Sequence, residues 1–223
     1  MEMMPYHAPE PRGPRPPHRG LLPSFGLGSP KQWRRRLPVL GDATLTLREL
    51  TREDAPTLFA QLTPAEVSRF ISPPPTSVAG FEAFIRWTHR RRAQGRYVCF
   101  GVVPAGQPHA VGLFQIHLDA AGASTAEWGF VLGAAYWGTG VFLAGARRVV
   151  DFAFAHMGIE RLEARAALPN GRGNGALRKL GAVCARVLPA SFQRHGEQLD
   201  QALWIIARDH WWAALHTWPS IVH

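Results

Sequence analysis

The sequence EWGFVLGAAYWGTGVF at residues 127–142 joins the three patterns that decide the fold. It begins as a strand that carries one carboxylate, Glu127, and passes through a Gly-Thr-Gly turn at residues 138–140. It then opens an apolar helix that we expect to run to about Met157. The first N–H groups of a helix have no intrahelical partners and lie at the positive end of its dipole. This order of strand, glycine turn and helix therefore indicates an anion site.

Outside this stretch the chain divides into three parts. Residues 1–38 hold many prolines among glycine, histidine and arginine, with seven lysines and arginines against two glutamates, and we expect a disordered tail. Residues 39–209 carry regular hydrophobic patterns and predict one domain with a sizeable core. Residues 210–223 form a Trp-rich extension that we expect to pack on the domain or on a partner subunit.

Composition narrows the class of protein. The net charge of +9 is diffuse in the folded part, without a basic helix, so nucleic acid is not the expected partner, although the arginine tail keeps that alternative open. Each of the two cysteines lies in an apolar run, which predicts reduced, buried thiols and no metal site. Without an apolar run of membrane-spanning length or a signal core, we expect a cytoplasmic protein with no membrane partner.

Hydrophobic periodicity places the remaining elements. A strand is predicted at 44–50, followed by a capping box from Thr51 to Asp54 that opens a helix to about residue 62. Further helices are predicted at 64–71, 77–93 and 170–180, and further strands at 97–103, 110–118, 126–132, 161–168, 182–188 and 199–206. This order predicts an α/β (α+β) domain whose mixed, mainly antiparallel central sheet has helices on both faces.

Three segments, in this order and spacing, resemble the GNAT superfamily of acetyl-CoA-dependent N-acyltransferases. The first is Trp-Gly-Thr-Gly at 137–140, which is similar to a pyrophosphate loop. The second is NGRGNGALRKLG at 170–181, and the third is the ending at 196–203 with Asp-His-Trp at 209–211. The likeness covers about residues 40–211 and is greatest to the branch of the RimJ and RimL ribosomal-protein N-terminal acetylases.

The resemblance implies acetyl-CoA as cofactor and assigns roles to named residues. The pantetheine arm would pair like an added strand with the backbone of Phe130, Val131 and Leu132. The pyrophosphate would lie on the loop formed by Tyr136, Trp137, Gly138, Thr139, Gly140 and Val141. Asn170 and Arg172 would contact the cofactor, and the catalytic residues would be Glu127, as the base, and Asn170. No metal ligand is implied.

Each assignment has a structural alternative. Glu127 could be a solvated strand residue paired with an arginine, and Asn170 could be a helix N-cap. Arg172 could belong to a solvated helix face. His117 and His195 are single histidines on a strand and in a loop, where such residues are usually structural.

Two departures from the family pattern affect the chemistry. Gly173 stands where the family has a loop serine. Leu177 stands where many members have a tyrosine that acts as general acid, which leaves the departing thiolate without an evident proton donor. A thiolate of coenzyme A is a good leaving group, so an enzyme can function without that acid.

The resemblance therefore implies transfer of an acetyl group to an amine. An α-amine has a pKa of about 7.7–8.0, against about 10.4 for lysine, so one carboxylate suffices more readily for an α-amine. This favours a peptide or protein N-terminus as acceptor. A small amine such as an aminoglycoside or a polyamine, and a non-catalytic module that binds acyl-CoA, remain the alternatives. The chain could act as a monomer or as a homodimer.

Overall fold

The computed structural model describes residues 32–194 and 196–216. One eight-stranded sheet has the order β1-β2-β3-β4-β5-β6-β8-β7, and all of its pairings are antiparallel except that of β5 with β6. The strands are β1 (Leu40–Gly41), β2 (Leu45–Glu49), β3 (Tyr97–Pro104), β4 (Gly112–His117), β5 (Thr125–Leu132), β6 (Arg161–Ala167), β7 (Val183–Arg194) and β8 (Glu197–Ala207). The helices are α1 (Ala55–Leu62), α2 (Ala65–Ser68), α3 (Val78–Ala93), α4 (Val141–His156), α5 (Gly171–Leu180) and α6 (Arg208–His216). The predicted mixed, mainly antiparallel sheet is confirmed.

Helix α4 covers one face of the sheet. The side chains of Ala146, Val150 and Phe154, which recur every four residues along the helix, are all buried. Between them, Phe152 meets Phe100 of β3 edge to face at 5.1 Å between ring centres. The helix ends at His156 with Met157 as its C-cap, and Gly158 follows with a positive φ of 73°. The larger core therefore lies between α4 and the sheet.

Helices α1 and α3 cover the opposite face. Asp54, immediately before α1, is fully buried and takes two hydrogen bonds from the Arg48 guanidinium, at 2.7 and 2.8 Å. It also accepts the N–H groups of Thr51 and Ala110. Because a buried carboxylate is tolerated only when it is paired and hydrogen-bonded, this network fixes α1 to β2 and to the β3–β4 connection.

The hairpin of β7 and β8 is longer than predicted and bends. The register shifts between Leu188 and Phe192, where Ala190 takes a φ of +48° and donates its N–H to Asp200 Oδ1 at 2.9 Å. Beyond this bulge, Arg194 Nη2 donates to Ser68 O at 3.2 Å. The end of the hairpin is thereby joined to α2.

The C-terminal extension forms a helix that the sequence patterns did not predict. In α6, Trp211 Nε1 donates to Asp151 Oδ1 at 2.7 Å, and the ring centres of Trp212 and Phe154 are 6.5 Å apart, so the described part of the extension packs on α4. Residues 217–223, including Trp218, lie outside the described residues.

Two expectations need correction. Residues 32–38 were predicted to belong to the tail, yet Trp33 and Leu37 are buried in the larger core, so ordered structure begins before residue 39. Of the two cysteines predicted to be buried, Cys99 is and Cys184 is exposed, because β7 lies at the edge of the sheet. Within residues 32–194 and 196–216, no helix is long and apolar enough to cross a membrane.

Candidate active site

Strands β5 and β6 diverge and leave a cleft in the middle of the sheet. They pair only from Thr125 opposite Arg161 to Glu127 opposite Glu163. Strand β5 nevertheless continues to pair with β4 as far as Leu132. The cleft is bordered by residues 128–132 of β5 and by the second half of β6.

Backbone alternation shows which groups of β5 face this cleft. Ser124 O accepts the N–H of Glu160, so the even-numbered residues of β5 direct their N–H and C=O groups towards β6. Phe130 and Leu132 therefore face the cleft. Val131 lies opposite Leu113 and turns its backbone groups towards β4. Of the three residues expected to pair with a pantetheine arm, Phe130 and Leu132 are on the side that such a ligand could reach.

The glycine loop lies at the end of the same strand. Gly138 and Gly140 have φ values of 75° and 87°, which only glycine adopts without strain, and Gly140 is the N-cap of α4. No side chain caps this helix, and its first intrahelical bond, from Ala144 N–H to Gly140 O, leaves the three preceding N–H groups of the first turn available. Thr139 Oγ1 is committed to Tyr136 O at 2.8 Å. The N–H groups of Tyr136 and Trp137, which were expected to face the pyrophosphate, are instead bonded to Gly133 O and Ala134 O, at 3.0 and 3.1 Å. The donors that the loop offers to an anion are therefore those of residues 138–143.

Trp137 connects the loop to two neighbouring elements. Its Nε1 donates to Leu132 O at 3.0 Å, which fixes the ring against the end of β5. On its other side, the guanidinium carbon of Arg172 lies 3.5 Å from the ring centre, within the range of a cation–π interaction. The predicted cofactor residues of β5, of the loop and of the start of α5 are thus brought together.

Glu127 lies at the point where the two strands part. Its Oε2 accepts a hydrogen bond of 2.9 Å from Arg165 Nη1, so the arginine pairing weighed as an alternative is present. Burial raises the pKa of the Glu127 carboxyl, Arg165 opposes this, and Asp119 and Glu163 add to it. The side chain is still 44 % exposed, so an acceptor can reach it. A carboxylate with a raised pKa is a stronger base than an ordinary one.

The strands beside Glu127 supply further polar groups on the same face of the sheet. His117 of β4 and Glu163 of β6 lie directly opposite it. Glu163 is paired with Arg161 at 2.6 Å, and His117 lies 3.8 Å from Asp119. Two positions along β5, Gly129 lies against the side chain of Gln115, which accepts a hydrogen bond from the Tyr97 hydroxyl. His195 lies outside the described residues.

Asn170 is the N-cap of α5, as its alternative assignment predicted. Its Oδ1 accepts the N–H of Gly173 at 2.9 Å. A Cβ at Gly173 would lie only 2.5 Å from the Asn170 amide nitrogen. A serine at Gly173 would therefore require the Asn170 amide to shift from this position.

Two residues at this site were missed from the sequence. Asn174 Nδ2 donates to the carbonyl oxygens of Ala167 and Asn170, both at 2.9 Å, and its Oδ1 accepts Trp204 Nε1 at 2.9 Å. It therefore holds the turn between β6 and α5. Arg165, the partner of Glu127, was the other. The spacing of two residues between Glu163 and Arg165 on one predicted strand indicated that both side chains share a face of the sheet. It did not show that Arg165 would meet Glu127, because that depends on the register between β5 and β6.

Comparison with known proteins adds to this geometry. Residues 44–183 match the family model described as an acetyltransferase (GNAT) domain. The chain is 25% identical over 122 residues, 54% of its length, to the uncharacterised N-acetyltransferase p20 of Bacillus licheniformis, of which 68% is covered.

Solved structures share the fold at low identity. RimL, a ribosomal L7/L12 alpha-N-protein acetyltransferase in complex with coenzyme A, superposes with a TM-score of 0.70 at 14% identity over 77% of this chain and 99% of that one. The microcin C7 self-immunity acetyltransferase MccE, in complex with acetyl-CoA and AMP, gives 0.67 at 15% identity over 74% and 93%. At these identities the superpositions establish the fold.

Proposed function

The chain belongs to the acetyltransferase (GNAT) family, and from this premise we propose that it transfers the acetyl group of acetyl-CoA to an amine, with a peptide or protein N-terminal α-amine as the acceptor. The observation that carries the proposal is the parting of β5 from β6 at Glu127. Because β6 turns away, the cleft-facing backbone groups of Phe130 and the N–H of Leu132 have no partner strand among the described residues. These groups lie along β5 between the Glu127 carboxylate and the uncapped glycine loop. Each of the three parts fits one portion of the reacting molecules.

The cofactor portion follows from hydrogen-bonding needs. A pantetheine arm carries amide groups that can pair with Phe130 and Leu132 across the cleft, as an added strand does. The pyrophosphate would accept from the N–H groups of residues 138–143, in the glycine loop and the first turn of α4, at the positive end of that helix. Arg172, above Trp137, would add a positive charge on the other side of the phosphates. Asn170 would act mainly by shaping this end of α5.

The chemical portion centres on Glu127. The neutral amine nitrogen attacks the thioester carbonyl carbon, a C–N bond forms, the C–S bond breaks, and the electron pair leaves with the sulfur. An N–H of β5 facing the cleft would stabilise the oxyanion. Glu127 would take the proton lost by the amine, directly or through a water molecule. The thiolate would leave without an acid, because Leu177, at the position of the family tyrosine, is buried in the core.

The acceptor would bind on the face of the sheet that carries Glu127. The face of the sheet that carries Glu127 also carries Arg165 and Gln115, and the end of the β7–β8 hairpin reaches α2. A single carboxylate suffices for an α-amine, whose pKa of about 7.7–8.0 leaves a sizeable neutral fraction at pH 7. A small-molecule amine is the alternative substrate.

A non-catalytic acyl-CoA-binding module is the second candidate function. Two observations favour it: Glu127 is engaged by Arg165, and Leu177 supplies no acid. Such a module would use the same cleft and glycine loop, so cofactor binding alone does not separate it from an enzyme.

The deciding experiment combines cofactor binding with turnover. Thermal shift with acetyl-CoA tests the cleft, and release of free thiol tests transfer to N-terminal peptides, lysine peptides and small amines. For an enzyme, Glu127→Gln should abolish most turnover and keep the thermal shift, while Glu163→Gln, the matched change on the neighbouring strand, should keep both. Thiol release that is unchanged in Glu127→Gln would refute the base assignment, and no shift with any CoA species would refute the proposal.

A further inference from the structure

Arg165 holds hydrogen-bond donors that the described part of the chain does not use. Its side chain is only 17 % exposed, and Nη1 donates to Glu127 at 2.9 Å. Its Nε is buried and has no hydrogen-bond partner among residues 32–194 and 196–216. A guanidinium offers five N–H donors in a fixed plane, and a buried donor without a partner destabilises the fold. Such a group is a candidate for binding a ligand.

The position of Arg165 places it on the acceptor side of the cleft. It is two residues beyond Glu163 and therefore on the same face of β6, where β5 has already turned away. Arg161, two residues before Glu163, provides a contrast. Its guanidinium forms an ion pair with Glu163 at 2.6 Å, and its side chain is 45 % exposed.

The inference rests on the proposed acetyl transfer: we propose that Arg165 binds the carbonyl oxygen next to the acceptor amine while Glu127 receives the amine. In a peptide N-terminus the amine nitrogen and the first carbonyl oxygen are separated by roughly 3 Å, from standard bond lengths. Glu127 Oε2 and Arg165 Nη1 are 2.9 Å apart because they are hydrogen-bonded to each other, so the remaining N–H groups of the same guanidinium are the donors left for a ligand. A carboxylate that is joined to a guanidinium with unused donors places hydrogen-bond acceptor and donor groups side by side. The amine and the neighbouring carbonyl oxygen of a peptide N-terminus are the complementary pair of groups.

The same pair disfavours other amines. A polyamine has no carbonyl oxygen for Arg165, and its additional positive charges would approach a guanidinium that is largely withdrawn from water. A simple alkyl amine could still reach Glu127, but it would leave the Arg165 donor unpaired. Arg165 is therefore an acceptor-binding residue that selects an α-amine adjacent to a carbonyl group.

The test compares two acceptors that differ in this carbonyl group, L-alaninamide and isopropylamine. For each, the ratio of kcat/KM between wild type and variant is taken, so that the different pKa values of the two amines cancel. Arg165→Met should lower kcat/KM for L-alaninamide roughly tenfold to a hundredfold more than for isopropylamine, as expected for loss of a hydrogen bond from a charged donor. Arg165→Lys, which keeps the charge without the planar fork, should give an intermediate loss.

Controls separate recognition from a structural role. Arg161→Met removes a neighbouring arginine from the same strand and face, and it should leave the ratio between the two acceptors unchanged. Equal losses for both acceptors in Arg165→Met, or the same discrimination in Arg161→Met, would overturn the inference even if the chain is an acetyltransferase. Melting temperature and CoA affinity establish that each variant is folded.

A binding measurement keeps this inference distinct from the proposed function. Calorimetry of L-alaninamide with the CoA complex of wild type and of Arg165→Met requires no turnover. Binding that depends on Arg165, in a wild-type protein that acetylates none of the peptides and amines of the thiol-release screen, would support the site and refute the transfer. Equal binding by the two proteins would overturn the site.

Discussion

The guanidinium of Arg172 lies over the ring of Trp137 at 3.5 Å from its centre, and this contact joins the start of α5 to the glycine loop. Because Trp137 is also hydrogen-bonded to Leu132 O, the ring is held between strand and helix. Arg172 is thereby fixed beside the backbone donors that would hold a pyrophosphate.

Arg172→Ala should weaken binding of CoA by about tenfold, since it removes one charge beside the phosphates and one cation–π interaction worth roughly 0.5–2 kcal/mol. Isothermal titration calorimetry measures the change. Arg178→Ala is the matched control, because Arg178 is on the same helix and lies 5.7 Å from the Trp204 ring, away from the loop. Similar losses in both variants would mean that the charge of α5 acts as a whole and that Arg172 has no separate role.

Gly140→Ala should affect both stability and ligand binding, whereas Gly106→Ala should affect stability alone. Their φ values are +87° and +80°, and an added Cβ would meet no atom within 4 Å at either position. Each alanine should therefore cost about 1–2 kcal/mol through the left-handed backbone. Only Gly140 lies where the first amides of α4 would meet a phosphate, so only its variant should lose CoA affinity beyond the stability loss, as urea unfolding and calorimetry would reveal.

The Glu127 carboxyl should titrate above the ordinary value of about 4.3, because burial raises its pKa. Arg165→Met should raise this pKa further, since it removes the opposing positive charge, and Glu163→Gln should lower it. Carboxyl-carbon NMR titrations, with Glu127→Gln to assign the signal, measure all three. Because the base is the ionised form, activity should fall with decreasing pH at a higher pH than an ordinary carboxylate would give. A Glu127 signal that titrates at the ordinary value would contradict this prediction.

Asp54→Ala should destabilise the fold by about 3–5 kcal/mol, because it leaves the Arg48 guanidinium without its buried partner. Burial alone would raise the pKa of Asp54, but hydrogen bonds from Arg48 and from the N–H groups of Thr51 and Ala110 outweigh it and hold the pKa below its usual value.

The sign of the pH dependence of stability follows from that depressed pKa. The carboxylate contributes stability above its unfolded pKa of about 3.9, and the contribution is lost as the pH falls towards the lower folded value. Urea unfolding between pH 7 and pH 3 should show this loss in wild type and not in Asp54→Asn. Asp209→Asn removes an 88 % exposed carboxylate and should behave like wild type.

Much of this fold was predictable because its signals are local. The glycine turn, the apolar stripe of α4 and the bounds of α3, predicted at 77–93, depend on neighbours in sequence, and their positions agree with the structure. Helix α6 was missed because the contacts that hold it, such as the hydrogen bond of Trp211 with Asp151, join residues far apart in sequence. Exposure of Cys184 was missed because an apolar pattern does not show that a strand lies at an edge.

In the candidate site, too, the local features were predictable and the tertiary contacts were not. The backbone of the loop could be assigned from Gly138 and Gly140 alone, because positive φ is a local property. The ion pair of Glu127 with Arg165 could not, since it joins residues 38 positions apart through a register between parallel strands. The stacking of Arg172 on Trp137 likewise requires the relative placement of α4 and α5.

The short pairing of β5 with β6 also divides the sheet into two sets of strands. Strands β1–β5 and β6–β8 form two sets of antiparallel pairs, and among the described strands only the register from Thr125 to Glu127 joins one set to the other. Native proteins open preferentially along boundaries of this kind. The cleft therefore lies along a seam between the two sets, which α4 and the larger core join on one face of the sheet. A ligand held across the seam would add contacts between the two sets where the backbone pairing is missing.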